Sequence, residues 1–119
     1  VLFHAITDAL LGSLALGDIG THFPDSDEKW LNADSSTFLR HAAGLVTERG
    51  WTISNIDSVI SLEKPKLRPH IDLMRNNIAI LLKIDAGRVS VKAKTGEGVD
   101  AVGERKAICA EAIVLIESA

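Results

Sequence analysis

The chain has 119 residues, enough for one compact domain with a core of its own and too few for several. Hydrophobic residues make up 46% and charged residues 24%, an ordinary balance for a globular fold that excludes a disordered or fibrous chain. The formal net charge of -3, with no basic face in the pattern, argues against nucleic acid as the main partner, so an anionic ligand would need local cations.

Cys109 is the single cysteine, cannot form an internal disulfide, and is expected to be a small core residue. The longest apolar runs, around Ala9 to Leu16 and Ala112 to Ile116, are too short to cross a bilayer, and no membrane partner is expected. Val1 has no Met before it and enters a helical pattern with no capping residue ahead, so the sequence is expected to open inside an element.

From Leu2 to Leu16, Phe3, Ile6, Leu10, Leu11 and Leu14 recur at three and four, which predicts a mostly buried helix ended by Gly17. His4 and Asp8 lie one turn apart on it and share a face. The stretch from Gly17 to about Ala33, with Pro24 and several aspartates, predicts a long polar loop, and that length points to function. Asp34 or Ser35 can cap a second, amphipathic helix that carries Phe38, Leu39, Ala42, Leu45 and Val46 inward as far as Gly50.

Trp51 to Glu63 predicts a strand with Ile56, Ile60 and Leu62 on one side, broken by the rigid basic turn Lys64-Pro65-Lys66-Leu67-Arg68-Pro69. Pro69 suits the first turn of a third helix, with Ile71, Met74, Ile78, Leu81 and Leu82 inward, stopped by a turn near Gly87. Val89, Val91 and Ala93 alternate as a strand, Thr95 to Gly103 predicts a loop or brief turn, and Ile108 to Ile116 a last strand. The order gives a single α+β domain over residues 1–119, expected to be ferredoxin-like, with helices covering one face of a small mixed sheet.

Four features can carry chemistry. His4 is either a metal ligand, with Asp8 to orient it, or a satisfied core histidine, and one imidazole is not a zinc site by itself. Gly17-Asp18-Ile19-Gly20-Thr21-His22-Phe23-Pro24-Asp25-Ser26-Asp27 offers carboxylates for hydroxyl groups, or is a solvated turn. Lys64, Lys66 and Arg68 lead into a helix start where phosphate can be received, or form a solvated basic turn. Thr95-Gly96-Glu97 could steady a phosphoryl oxygen and hold a hard divalent cation, and as a tripeptide is weak.

Taken together, these segments resemble one family in register. His4-Ala5-Ile6-Thr7-Asp8-Ala9-Leu10-Leu11-Gly12, Leu16-Gly17-Asp18-Ile19-Gly20 and Phe23-Pro24-Asp25-Ser26-Asp27 are similar to the signature of the 2-C-methyl-D-erythritol 2,4-cyclodiphosphate synthases. Lys64-Pro65-Lys66-Leu67-Arg68-Pro69-His70 resembles that family's cytidine-side loop, and Val91-Lys92-Ala93-Lys94-Thr95-Gly96-Glu97 its phosphate-binding strand end.

The resemblance implies a homotrimeric lyase of non-mevalonate isoprenoid biosynthesis, bacterial and cytoplasmic or resident in the plastid stroma. It converts 4-diphosphocytidyl-2-C-methyl-D-erythritol 2-phosphate to the cyclic diphosphate and CMP. It also implies roles. His4 is one of three ligands to a Zn²⁺-type ion, and Glu97 holds Mg²⁺ or Mn²⁺ between the α and β phosphates. Thr95 is the transition-state donor. Asp18, Ile19 and Gly20, with Phe23, Pro24, Asp25, Ser26 and Asp27, line the methylerythritol phosphate pocket. Leu62, Glu63, Lys64, Pro65, Lys66, Leu67, Arg68 and Lys94, with Gly96, surround the nucleotide, and Ala101 and Glu104 stand where further contacts fall.

The sequence also departs from the family. The opening strand with its Asp-x-His pair, source of the other two ligands, and the His-Ser-Asp-Gly-Asp stretch have no counterpart in these 119 residues, so the domain is expected to be N-terminally incomplete. Lys94 stands where Thr is common, and Asp100-Ala101-Val102-Gly103-Glu104-Arg105 differs from the usual Arg-Gly-Glu-Gly-type ending. Two other functions suit the same residues: a non-catalytic trimeric binding or structural module, and a metal-dependent phosphohydrolase, for which His4, Glu97 and the basic loop would serve water attack.

Overall fold

The computed structural model describes residues 1–119. Helix α1 spans Leu2–Ser13, a one-turn helix α2 Ile19–His22, α3 Ser35–Glu48, strand β1 Trp51–Ser61, α4 Ile71–Leu82, β2 Val89–Lys94, a one-turn helix α5 Asp100–Gly103, and β3 Cys109–Ser118. Single 3-10 turns at Arg68–His70 and Ala86–Arg88 lead into α4 and β2.

Helix α1 ends earlier than Gly17 suggested. Ala15 adopts the left-handed conformation (φ 56°), while its amide bonds to Gly12 O and that of Leu16 to Leu11 O, both at 3.0 Å. That is a Schellman closure built without glycine at its left-handed position. Helix α3 begins as expected, with Asp34 Oδ1 accepting from the Ser36 amide. Lys83, left-handed at φ 58°, closes α4, and Gly87 lies in the turn that follows.

The sheet order is β2-β1-β3, with β1 parallel to β2 and antiparallel to β3. The ferredoxin-like expectation is therefore corrected. A split unit keeps a strand between its two parallel strands, whereas here β1 and β2 are hydrogen-bonded neighbours joined by the α4 crossover.

A bulge between Ile53 and Asn55 lets Ile53 face the core together with Ile56, Ser58 and Ile60. Helix α1 packs over β3, α4 over β2 and α3 against both helices and β1. Ile6, Leu10, Leu11, Leu39, Ala42, Ile56 and Ile78 are fully enclosed between these layers. Arg75 ties α4 to the start of β2, donating to Val89 O at 2.8 Å and Ala86 O at 2.9 Å, with Asp72 at 3.2 Å.

Helices cover one face of the sheet. In β3, Ala110, Ala112, Val114 and Ile116 pack on the core, while Ile113 and Leu115 point the other way and are 75% and 62% exposed. Cys109 belongs to this outward set and is exposed, so the expected core cysteine is a surface one. The alternation of a strand forces this once Ala110 faces inward.

Candidate active site

Two groups of candidate residues are each built by a different part of the fold. The first surrounds the end of α1. Asp8 Oδ1 accepts the Ile19 amide at 2.9 Å, so Asp8 pins the loop rather than orienting His4 as expected from the shared helix face. Asp18 caps α2, its Oδ1 accepting from the Thr21 amide and hydroxyl, both at 2.9 Å. His22 Nε2 donates to Leu16 O at 2.6 Å and closes the loop onto the helix end. Helix spacing revealed Asp8 as a polar residue on His4's face, but its partner lies eleven residues on and has no sequence signal.

Phe23 is buried. Its ring stacks on Phe38 (4.6 Å between centroids) and meets Trp30 and His41 edge-on at 4.7 and 5.2 Å. The ring thus anchors Pro24, Asp25, Ser26 and Asp27, of which the last three are exposed. Asp27 Oδ1 accepts the Lys29 amide. Exposed His4 has its Nε2 3.2 Å from Ser35 Oγ at the start of α3, which removes the core-histidine alternative. Ser35, a possible cap by sequence, thus also meets the His4 ring.

The second group lies where β1 and β2 end side by side. The parallel register pairs Ser61 with Lys94, and the Leu62 amide adds one more bond, to Lys94 O at 2.9 Å. The basic turn after β1 and the Thr95-Gly96-Glu97 turn after β2 are therefore neighbours. A cleft of about 530 Å³ runs between Arg68, Pro69, Ile71 and Asp72 on one side and Val91 to Lys94 on the other. A smaller recess of about 80 Å³ adjoins it, lined by Lys66, Leu67, Arg68, Ala93, Lys94 and Thr95. A second cleft of about 530 Å³ opens among α3, the start of β1 and the end of α4, and none of the candidate residues lines it.

Residues 95–104 close on themselves. Glu97 and Asp100 are left-handed (φ 53° and 62°), Asp100 Oδ1 accepts from the Val102 and Gly103 amides, and Thr95 Oγ1 accepts from the Glu97 amide at 3.3 Å. Gly96 has no room for a side chain, because a Cβ there would lie 2.7 Å from Gly103 Cα. Thr95 and Glu97 are exposed, Ala101 O receives the Lys106 amide, and Glu104 pairs with Lys106 at 3.4 Å.

No three His, Cys, Asp or Glu side chains converge on a common point that could hold a metal ion. His4 and Glu97 each offer a single donor, so the residues of this chain do not by themselves fit either implied metal. Nor does any helix have the length and apolar character needed to cross a membrane.

The YgbB family model matches residues 1–117. The chain belongs to the YgbB family. A 2-C-methyl-D-erythritol 2,4-cyclodiphosphate synthase of Solibacter usitatus is 54% identical over 117 residues, covering 98% of this chain and 74% of the relative. A structure of such a synthase in its CDP-bound form superposes with a TM-score of 0.89 at 38% identity, covering 97% of this chain and 74% of that one. The bifunctional IspDF of Campylobacter jejuni superposes with a TM-score of 0.92 at 37% identity, covering 98% of this chain and 32% of that longer one. The YgbB match takes in both groups of candidate residues.

The Asp18 cap generates a pH prediction. The Thr21 amide and hydroxyl, with a smaller pull from His22, hold the Asp18 carboxyl below its ordinary value of 3.8. A lowered folded value means a stabilising contribution that is full above 3.8 and lost as the pH falls through the folded value. The urea midpoints of wild type and Asp18→Ala should therefore differ most near neutrality and converge on acidification below 3.8. A gap that widens in acid would contradict this.

Proposed function

We propose that the chain catalyses the reaction its relatives are named for: conversion of 4-diphosphocytidyl-2-C-methyl-D-erythritol 2-phosphate to 2-C-methyl-D-erythritol 2,4-cyclodiphosphate and CMP. The observation that carries the proposal is the parallel alignment of the β1 and β2 ends, which brings Arg68 of the basic turn and Lys94 to one cleft and Lys66, Arg68, Lys94 and Thr95 to the recess beside it. A CDP-bound member of the family shares the fold.

In the reaction an oxygen of the substrate's own 2-phosphate forms a bond to the β-phosphorus, and the bond from that phosphorus to the oxygen bridging to the α-phosphate breaks. CMP departs with the bridging oxygen. The nucleophile is tethered and already anionic, so the chain's task is to position two phosphates and offset their charge rather than to supply a strong base. Lys64, Lys66, Arg68 and Lys94 would receive the diphosphate and nucleotide. The Thr95 hydroxyl accepts from the Glu97 amide, which leaves its own proton free to donate to a phosphoryl oxygen as charge builds there. Asp18, Asp25 and Asp27 would receive the methylerythritol hydroxyls.

A homotrimer is part of the proposal. α1 packs over β3 and α4 over β2, the two edge strands, so the elements carrying the acidic loop and the basic turn lie over opposite edges of the sheet. One substrate can then be shared between the acidic loop of one copy and the basic turn of its neighbour. The uncovered sheet face, with Ile113 and Leu115, supplies apolar surface for the copies to meet. Within the proposal, His4 is one ligand of a Zn²⁺-type ion and Glu97 one ligand of Mg²⁺ or Mn²⁺, which when bound would neutralise phosphoryl charge. Since neither donor set is complete in this chain, no step is routed through an ion. A bacterial cytoplasm or plastid stroma is the compartment this reading implies.

The full-length protein should release CMP from the cytidine-diphosphate substrate, and no release at any divalent-metal concentration would contradict the proposal. Thr95→Val should lower kcat on the order of 100-fold. Glu97→Gln should lower it too and raise the Mg²⁺ concentration for half-maximal turnover, with an unchanged melting temperature because the carboxylate is exposed. Sedimentation should give three chains per particle, and a fully active monomer would remove the shared site.

A further inference from the structure

The Thr95-Gly96-Glu97 turn has to be held beyond the last rung of the β1–β2 ladder. That rung is Leu62 N–H to Lys94 O, and past it no strand pairing constrains the chain. The turn is not relaxed either, since Glu97, Gly98 and Asp100 all sit at positive φ, two of them without the freedom of glycine. One side chain reaches across. Half-buried Glu63, the next residue after Leu62, places Oε1 2.9 Å from the Gly96 nitrogen and accepts its N–H.

We infer that Glu63 is a positioning residue whose carboxylate sets the peptide plane between Thr95 and Gly96, and with it the direction of the Thr95 hydroxyl, rather than a contact to the nucleotide. The inference rests on the proposed reaction and assigns this side chain a role within it. A hydrogen bond to an ionised acceptor is shorter and stronger than a neutral one, so it suits a single tether on a strained turn. No other side chain bonds to the backbone amide of Gly96, and glycine is required there because Gly103 occupies the space of a Cβ. The packing of Gly96 on Gly103 fixes where the turn lies, and Glu63 fixes how its first peptide is rotated.

The arrangement has a chemical consequence. The Gly96 amide is engaged by Glu63 and the Glu97 amide by Thr95 Oγ1, so neither is left to cradle an anion. A phosphoryl group arriving at this turn must be met by the Thr95 hydroxyl proton and by cationic side chains. The turn thus works as a pointed donor, and its aim depends on Glu63.

Glu63→Gln keeps an acceptor oxygen at the same reach and removes the charge, while Glu63→Ala removes the acceptor. In the full-length protein, amide hydrogen exchange at Gly96 should quicken in Glu63→Ala and stay slow in Glu63→Gln. The same Ala variant should lose about 10- to 100-fold in kcat for CMP release, with the affinity for CMP unchanged and the Gln variant restoring most of the rate. Gly96 exchange that is unaltered in the Ala variant would overturn the inference. So would a weakened affinity for CMP with kcat retained, which would mark Glu63 as a nucleotide contact. Because exchange and CMP binding are read without turnover, they decide the role of Glu63 even if the wild type fails to make the cyclic product, a failure that would count against the proposed reaction instead.

Discussion

The direct parallel pairing of β1 with β2 is the constraint on which the rest depends. Parallel neighbours run their chains out in the same direction, so whatever follows one strand lies beside whatever follows the other. Here these are the basic turn from Lys64 to Arg68 and the Thr95-Gly96-Glu97 turn, and the rung between Leu62 and Lys94 carries the alignment past the formal strand ends. A slip of one residue would turn Val89 and Val91 out of the core as well as displacing Thr95 from the basic turn. Core packing therefore enforces the register that the cleft requires. Helix α4 is the crossover that parallel pairing demands, and Arg75 fastens it to the start of β2.

The second group of residues depends on α1 in a different way. There the backbone is irregular, and it is held by side chains: Asp8 on the Ile19 amide, Asp18 on Thr21, His22 on Leu16 O, and Phe23 in a cage of Phe38, Trp30 and His41. A polar loop with exposed aspartates can keep one conformation only if such ties replace the missing ladder bonds. The loop is consequently rigid at its root and open at Asp25, Ser26 and Asp27. The helix that carries it packs over β3, at the opposite edge of the sheet from α4.

Much of this was legible in the residues. The Asp34 cap and the apolar spacing of Phe38, Leu39, Ala42 and Val46 located α3, and alternation located β1 and β2. Other features escaped for physical reasons. Gly17 drew α1 too far because the left-handed closing position is held by Ala15, a residue that carries no stop signal. The run Ala112 to Ile116 is apolar on both faces, so its pattern could not tell that Ile113 and Leu115 face outward, or that Cys109 goes with them. The neighbour relation of β1 and β2 is a matter of long-range pairing that local pattern does not encode. Of the candidate site residues, sequence picked out the segments, while the bonds of Asp8, Glu63 and Ser35 needed the fold to bring distant stretches together.

In the proposed reaction this chain's site positions one phosphate of a substrate against another instead of activating water. The most direct measurement is phosphorus NMR of the product mixture after the full-length protein has acted on 4-diphosphocytidyl-2-C-methyl-D-erythritol 2-phosphate. A cyclic diphosphate formed in equal amount with CMP is the expected product. A linear phosphate ester as the main product, with CMP or without it, would contradict it.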